Sequence, residues 1–351
     1  MNALSLLASR RFLPLFVTQF LGAFGDNVLR GAIAVLAVYG LGGEEGAGNG
    51  AMISTLAAGA FTVPFLLFSA TAGQLADRFD RTLVARAVKV AEIGLMAVAS
   101  WGILAADLPV LIMALVGMGA HSTVFGPVKY GLLPDLLRAD ELSAGNGLVE
   151  AGTFVAILLG TIAGGSLALA DPRAVPALLG ASAVFGLIAS LFIPCAGNAD
   201  RTVRVGWNPA TVTLRVLRSV AGDKASMRAI YGISVFWGVG AVVMAQFPSI
   251  ARETLGTDSG GATLLLAVFA VGVAIGSVLA GLGHHAPSTA DARRAALAGL
   301  VAAAAGGALP FLTPAAPSTE PLSPLALLAQ PWALPLLADL FVIAAAGGAF
   351  A

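Results

Sequence analysis

Apolar runs of about 20 residues recur from one end of this chain to the other, and very few charges interrupt them. Inside a bilayer every backbone N–H and C=O must find a partner within the protein, so only helices and closed barrels can span it. Barrel strands alternate apolar and polar residues over about 10 positions. These runs do not alternate, which leaves membrane-spanning helices. Composition agrees, because 58% of the 351 residues are hydrophobic and 11% charged, against about 25% charged in soluble domains.

With a window of about 19 residues, helices are predicted at roughly 12 to 40, 50 to 72, 83 to 106, 109 to 133, 143 to 169, 174 to 194, 228 to 250, 260 to 283, 294 to 313 and 328 to 351. Residues 1–194 form a six-helix N-terminal half, 195–227 a cytoplasmic linker and 228–351 a C-terminal half. In the linker, Thr211 to Val220 has apolar spacing of period 3.6 with Arg215 and Arg218 on another face, as in a helix lying on a membrane surface. Thr313 to Pro324 is too rich in proline for a helix and reads as an extracytoplasmic loop. With the N-terminus cytoplasmic, sixteen of the 19 Lys and Arg residues fall on the inner side or at inner helix ends, among them Arg78, Arg81, Arg86, Lys89 and Lys129. Arg173 and Arg252 fall outside, and Arg30 lies within a helix.

The net charge of +0 gives no reason to expect a nucleic-acid partner. Cys195 is the one cysteine, so no intrachain disulfide forms, and no Cys/His spacing suggests a metal or other cofactor. No phosphate-binding glycine loop and no H-x-x-x-x-D acyltransferase signature is present, which points to a transporter without enzymatic activity. His121, His284 and His285 read as interfacial or loop residues.

Charges placed inside apolar runs carry the functional expectation. Asp26 and Arg30 interrupt QFLGAFGDNVLRGAIAVLAVYG, Gln19 to Gly40. Each costs about 2.5 to 3.5 kcal/mol at a helix centre, while a pair four residues apart returns about 0.2 to 0.5 kcal/mol. Lipid exposure is therefore excluded. Either the two form a structural ion pair or, with Asn27, they line a substrate cavity. Lys129 and Glu150 lie at similar depth in the fourth and fifth helices, where they hold a gate closed or contact a headgroup. Asn146 and Thr153 lie one turn on either side of Glu150, and Glu92 and Asp339 are weaker candidates. Gly160, Gly164 and Gly165 form a small-residue packing seam.

Between the second and third helices, GQLADRFDR (Gly73 to Arg81) resembles the loop signature of the major facilitator superfamily. The resemblance implies a twelve-helix all-α membrane fold. It also implies that Gly73 permits a tight turn and close helix approach, and that Asp77, Arg78 and Arg81 form a conformational latch. QFLGAFGDNVLR, PVKYG (Pro127 to Gly131) and GNGLVEAGTFVAILLGTIAGG (Gly145 to Gly165) look like the bacterial lysophospholipid transporters of that superfamily. FWGVGAVVMAQFP (Phe236 to Pro248) is similar to the forms fused to an acyltransferase. The resemblance implies alternating access in a bacterial inner membrane, with a lysophospholipid such as lysophosphatidylethanolamine as substrate. Asp26, Asn27, Arg30, Lys129, Asn146 and Glu150 would meet the headgroup, while Phe24, Leu158 and Phe236 would meet the acyl chain.

Two departures stand out. Members outside the fused group often carry an arginine near the position of Met244, a contact that would pass here to Arg30. The chain ends at GGAF, inside the tenth of twelve helices, and is expected to be a fragment or truncated product. A solute or drug exporter of the same fold is one rival. A non-transporting anchor for a fused or partner acyltransferase is the other.

Overall fold

The computed structural model describes residues 3–39, 50–195, 197, 199–281, 297–299, 301, 306 and 321–350. After a 3-10 turn at Ala3–Ala8 come α1 (Leu13–Tyr39), α2 (Gly50–Arg78), α3 (Arg81–Leu104), α4 (Leu108–Leu136), α5 (Leu142–Ala170) and α6 (Ala174–Leu191). Next are α7 (Pro209–Val220), α8 (Lys224–Ser249), α9 (Ser259–Gly281), α10 (Pro324–Leu328) and α11 (Ala333–Phe350). Among the described residues there is no β-strand, only an isolated bridge between Thr257 and Leu322. Eight of these helices are long and apolar enough to cross a membrane. The chain is therefore an all-α, multi-pass membrane protein. The helix expected at 294 to 313, most of the loop from Thr313, and His284 and His285 lie outside the described residues.

Local chemistry explains where several helices begin. Asp80 accepts the backbone N–H groups of Thr82 and Leu83 and so caps α3, and Asp107 does the same for Val110 in α4. Asn208 caps α7 and Asp223 caps α8. A side-chain oxygen at this position satisfies donors that have no partner within the helix. The second helix runs to Arg78, six residues beyond the expected boundary, so Gly73, Asp77 and Arg78 are helical and the turn falls at Phe79 and Asp80.

The chain divides into two compact units, residues 1–142 with 159–222, and residues 143–158 with 223–351. In the first, α1 packs on α6 and α2, α4 packs on α2 and α3, and α3 packs on α6. Val28, Leu29 and Ile33 of α1 meet Met96, Leu111, Leu115 and Leu179 in its core. The later part of α5 approaches α1 through glycine, since a Cβ on Gly160 would lie 2.5 Å from the Phe24 carbonyl and one on Gly164 would strike that of Val28. Helix α7 buries only Val212. The segment before it is tied to α2 by Thr71 Oγ1, which donates to the Gly206 carbonyl at 2.9 Å, and by Gln74 Oε1, which accepts from Gly206 N at 2.8 Å.

In the second unit α9 packs along α11, with Phe269 and Val273 against Leu336, Leu340 and Ala344. Phe154 gathers Phe236, Trp237 and Phe269 around its ring at centroid distances of 6.4, 6.0 and 6.2 Å.

Candidate functional site

The end of α2 and the start of α3 carry the latch residues. Arg81 reaches Asp77 Oδ1 at 3.2 Å and Asp135 Oδ2 of α4 at 3.0 Å. Arg78 donates to the Val203 carbonyl at 2.9 Å, and the Asp77 carbonyl accepts from Asp200 N at 2.9 Å. Asp77 is 59% exposed and Asp135 9%. The acid that holds Arg81 most firmly is thus Asp135, which the sequence motif does not contain. The expected role of Gly73 in close helix approach is not what the structure shows, because a Cβ there would meet nothing within 4 Å. Gly131 makes the room instead, since a Cβ on it would lie 2.7 Å from Arg81 Nε.

Deeper in the first unit, α1, α3 and α4 bring five polar side chains together. Lys89 and Glu92 are both 0% exposed, and Lys89 Nζ lies 2.5 Å from Glu92 Oε2. His121 Nε2 approaches the same oxygen at 3.1 Å. On the other side of that ring, Nδ1 is 3.4 Å from Ser122 Oγ, which donates to Asp26 Oδ2 at 2.7 Å. A chain of polar contacts therefore links Lys89 to Asp26. It is built into the packing, because a Cβ on Gly22 or Gly186 would come within 2.9 or 3.0 Å of the Lys89 ammonium.

This arrangement corrects one sequence-based expectation and adds to another. His121 lies buried within α4 rather than at an interface or in a loop, and Lys89, expected at the inner side or an inner helix end, is a buried ion-pair partner. The sequence held a usable signal. Helix α3 begins at Arg81, so Lys89 lies about 12 Å along it, and Glu92 three residues later shares its face. That face is the buried one, continuing through Met96 and Ala99.

The other expected residues are more dispersed. Among the described residues no ion pair joins Asp26 to Arg30, whose guanidinium lies over the Phe61 ring, 5.1 Å from its centroid. Asn27 is buried and donates to its own helix at the Ala23 carbonyl, 2.7 Å away. Lys129 is half-buried with its ammonium 4.9 Å from the Tyr130 centroid. Lys129 belongs to the first unit, whereas Glu150, which is buried, and Asn146, which is exposed, belong to the second. Thr153 donates to the Val149 carbonyl. Phe236 and Leu158 pack on the core of the second unit, and Phe24 on that of the first.

Known proteins resemble this chain at three levels. The family model described as Major Facilitator Superfamily matches residues 15–351. A protein of Serratia proteamaculans (strain 568) named Lysophospholipid transporter LplT is 32% identical over 277 residues, 77% of this chain and 65% of that relative. Its namesake in Yersinia pestis (strain Pestoides F) is 32% identical over 278 residues, 77% of this chain and 64% of the relative. The chain thus spans less than two thirds of the length of these relatives. Among solved structures, the human organic anion transporter MFSD10 (TETRAN) has a TM-score of 0.69 at 14% identity, covering 96% of this chain and 84% of its own. A bacterial homologue of the iron transporter ferroportin in an outward-facing state has a TM-score of 0.64 at 14% identity, covering 97% and 82%.

Proposed function

The chain belongs to the major facilitator superfamily, and on that premise we propose that it moves a lysophospholipid across a bacterial inner membrane by alternating access. The observation that carries this reading is the 32% identity over 77% of the chain to proteins named lysophospholipid transporters. The chemistry is compatible. A lysophospholipid presents a charged headgroup and one acyl chain, so its path needs ion-pairing groups beside apolar surface.

Asp26 would attract the ammonium of a zwitterionic headgroup and Arg30 its phosphate, for which a planar guanidinium suits charge-assisted pairing. The Arg30 guanidinium lies over the Phe61 ring, 5.1 Å from its centroid. Lys129 and Asn27 in the first unit, and Glu150 and Asn146 in the second, would each serve as gate residues or further headgroup contacts. The aromatic side chains around Phe154 and Phe236 would receive the acyl chain. Asp77, Arg78 and Arg81 would act as the latch between conformations. The N-terminus would be cytoplasmic, and an acyltransferase, fused or separate, would consume the delivered lysolipid.

The test is reconstitution of the full-length protein in liposomes, following movement of lysophosphatidylethanolamine and of diacyl phosphatidylethanolamine. The lysolipid should cross and the diacyl lipid should not. Equal movement of both, or of neither, would overturn the proposal.

A further inference from the structure

We propose that Ser122 is a positioning residue which, with Phe61, holds Asp26 and Arg30 apart as an open acid-base pair. An acid four residues before a base is the favourable order for pairing on a helix, and the attraction strengthens away from water. Left to itself, α1 would therefore close the pair. Among the described residues the two form no ion pair, and each is held elsewhere. The Ser122 hydroxyl of α4 donates to Asp26 Oδ2 at 2.7 Å, a bond strengthened by the charge of its acceptor. The Phe61 ring of α2 takes the Arg30 guanidinium, 5.1 Å from its centroid.

Both holds belong to one wall. Helices α2 and α4 pack closely, and a Cβ on Gly119 would strike the Phe61 carbonyl. Gly119 lies less than one turn before Ser122 on α4, so the serine and the ring are fixed with respect to each other. Asp26 and Arg30 still offset each other's charge across the gap, as Lys89 and Glu92 do in contact. The open pair therefore leaves no net charge in the core. Ser122 occupies one oxygen of the Asp26 carboxylate. The other, Oδ1, is buried and has no hydrogen-bond partner among the described residues. A buried acceptor without a donor is costly, and a cationic group entering beside Asp26 would supply the donor. On the transport reading, on which this use of the pair rests, that donor is the headgroup ammonium. Ser122 then keeps the acid from being paired by its own helix before the lipid arrives.

The test reads the opening without lipid and its use with lipid, so the two readings fail separately. In the detergent-solubilised full-length protein, melting temperatures of Asp26→Asn, Arg30→Gln and the double variant give the coupling between the two side chains. In a Ser122→Ala background that coupling should grow several-fold, because the released carboxylate closes on Arg30. Ser122→Thr, which keeps the hydroxyl, should leave it unchanged. If an α1 variant does not fold, proton NMR of the Arg30 guanidinium decides. The Phe61 ring should shift its resonances upfield, and Ser122→Ala should abolish that shift while Ser122→Thr keeps it. Coupling or ring shift left unchanged by Ser122→Ala would overturn the proposal. With lipid, binding of lysophosphatidylethanolamine to the protein in nanodiscs should weaken about tenfold in Ser122→Ala, as for loss of one hydrogen bond to a charged group, and recover in Ser122→Thr. Equal binding by all three proteins would overturn the positioning role. Failure of the unaltered protein to bind would overturn the transport reading, and the opening would then stand or fall on the coupling.

Discussion

Glu141, at the start of α5, is buried against Arg11 at 3.1 Å and Arg138 at 3.2 Å, and it accepts from Arg138 N at 2.9 Å. Burial pushes its carboxyl up, yet the Arg138 backbone N–H and then the two guanidinium groups outweigh that and hold it below the usual carboxylate range. A folded-state pKa below the unfolded value of about 4.3 stabilises the protein fully above that value. The stabilisation is lost as pH falls through the folded-state pKa. Glu141→Gln should therefore cost about 1 kcal/mol at neutral pH, since both guanidinium groups are about half exposed. Thermal unfolding of the two proteins should converge below about pH 4. The Arg81 pairs give a second contrast. Asp77→Asn should cost about 0 to 1 kcal/mol as an exposed pair, and Asp135→Asn about 1 to 3 kcal/mol because it leaves Arg81 short of its buried partner. Equal losses in melting temperature would show that exposure does not rank these two acids.

Among the elements, the α1 and α5 pairing rests on backbone approach. Gly164→Ala should destabilise the protein by about 1 to 3 kcal/mol, the usual cost of overpacking, because the added methyl meets the Val28 carbonyl, which cannot move without bending α1. Gly73→Ala, inside α2 with open space around it, should leave stability unchanged or raise it by up to about 1 kcal/mol through helix propensity. Comparing detergent-solubilised melting curves of the two variants checks both statements. This element-scale contrast was half legible. The seam at Gly160 and Gly164 shows as small residues at helical spacing, but the empty space around Gly73 depends on neighbours that its motif does not mention.

At the scale of the whole molecule, the proposed cytoplasmic N-terminus would place the connection after α6 on the inner side. Cys195 lies exposed in that connection and is the protein's one cysteine. A membrane-impermeant maleimide should label it in inverted vesicles and leave it untouched in intact spheroplasts. Labelling of intact spheroplasts would overturn the proposed orientation.

Most helix positions among the described residues, the all-α membrane class and the linker helix followed from the sequence alone, because apolar length, period 3.6 and Asp or Asn caps act over a few residues. The buried acid of α1 was visible for the same reason, since one acid in an apolar run needs no neighbour to be noticed. Tertiary structure decided its partner. Asp26 is bonded to Ser122, 96 positions away, rather than paired with Arg30 on its own helix. Lys89 became a core residue because α3 turns that face toward α4 and α6, with its ammonium against Gly22 of α1. Spacing within one helix sets which side chains share a face, but which helix that face meets is set by how several helices pack, and there the energetic cost of stranding a buried charge chose the pairs.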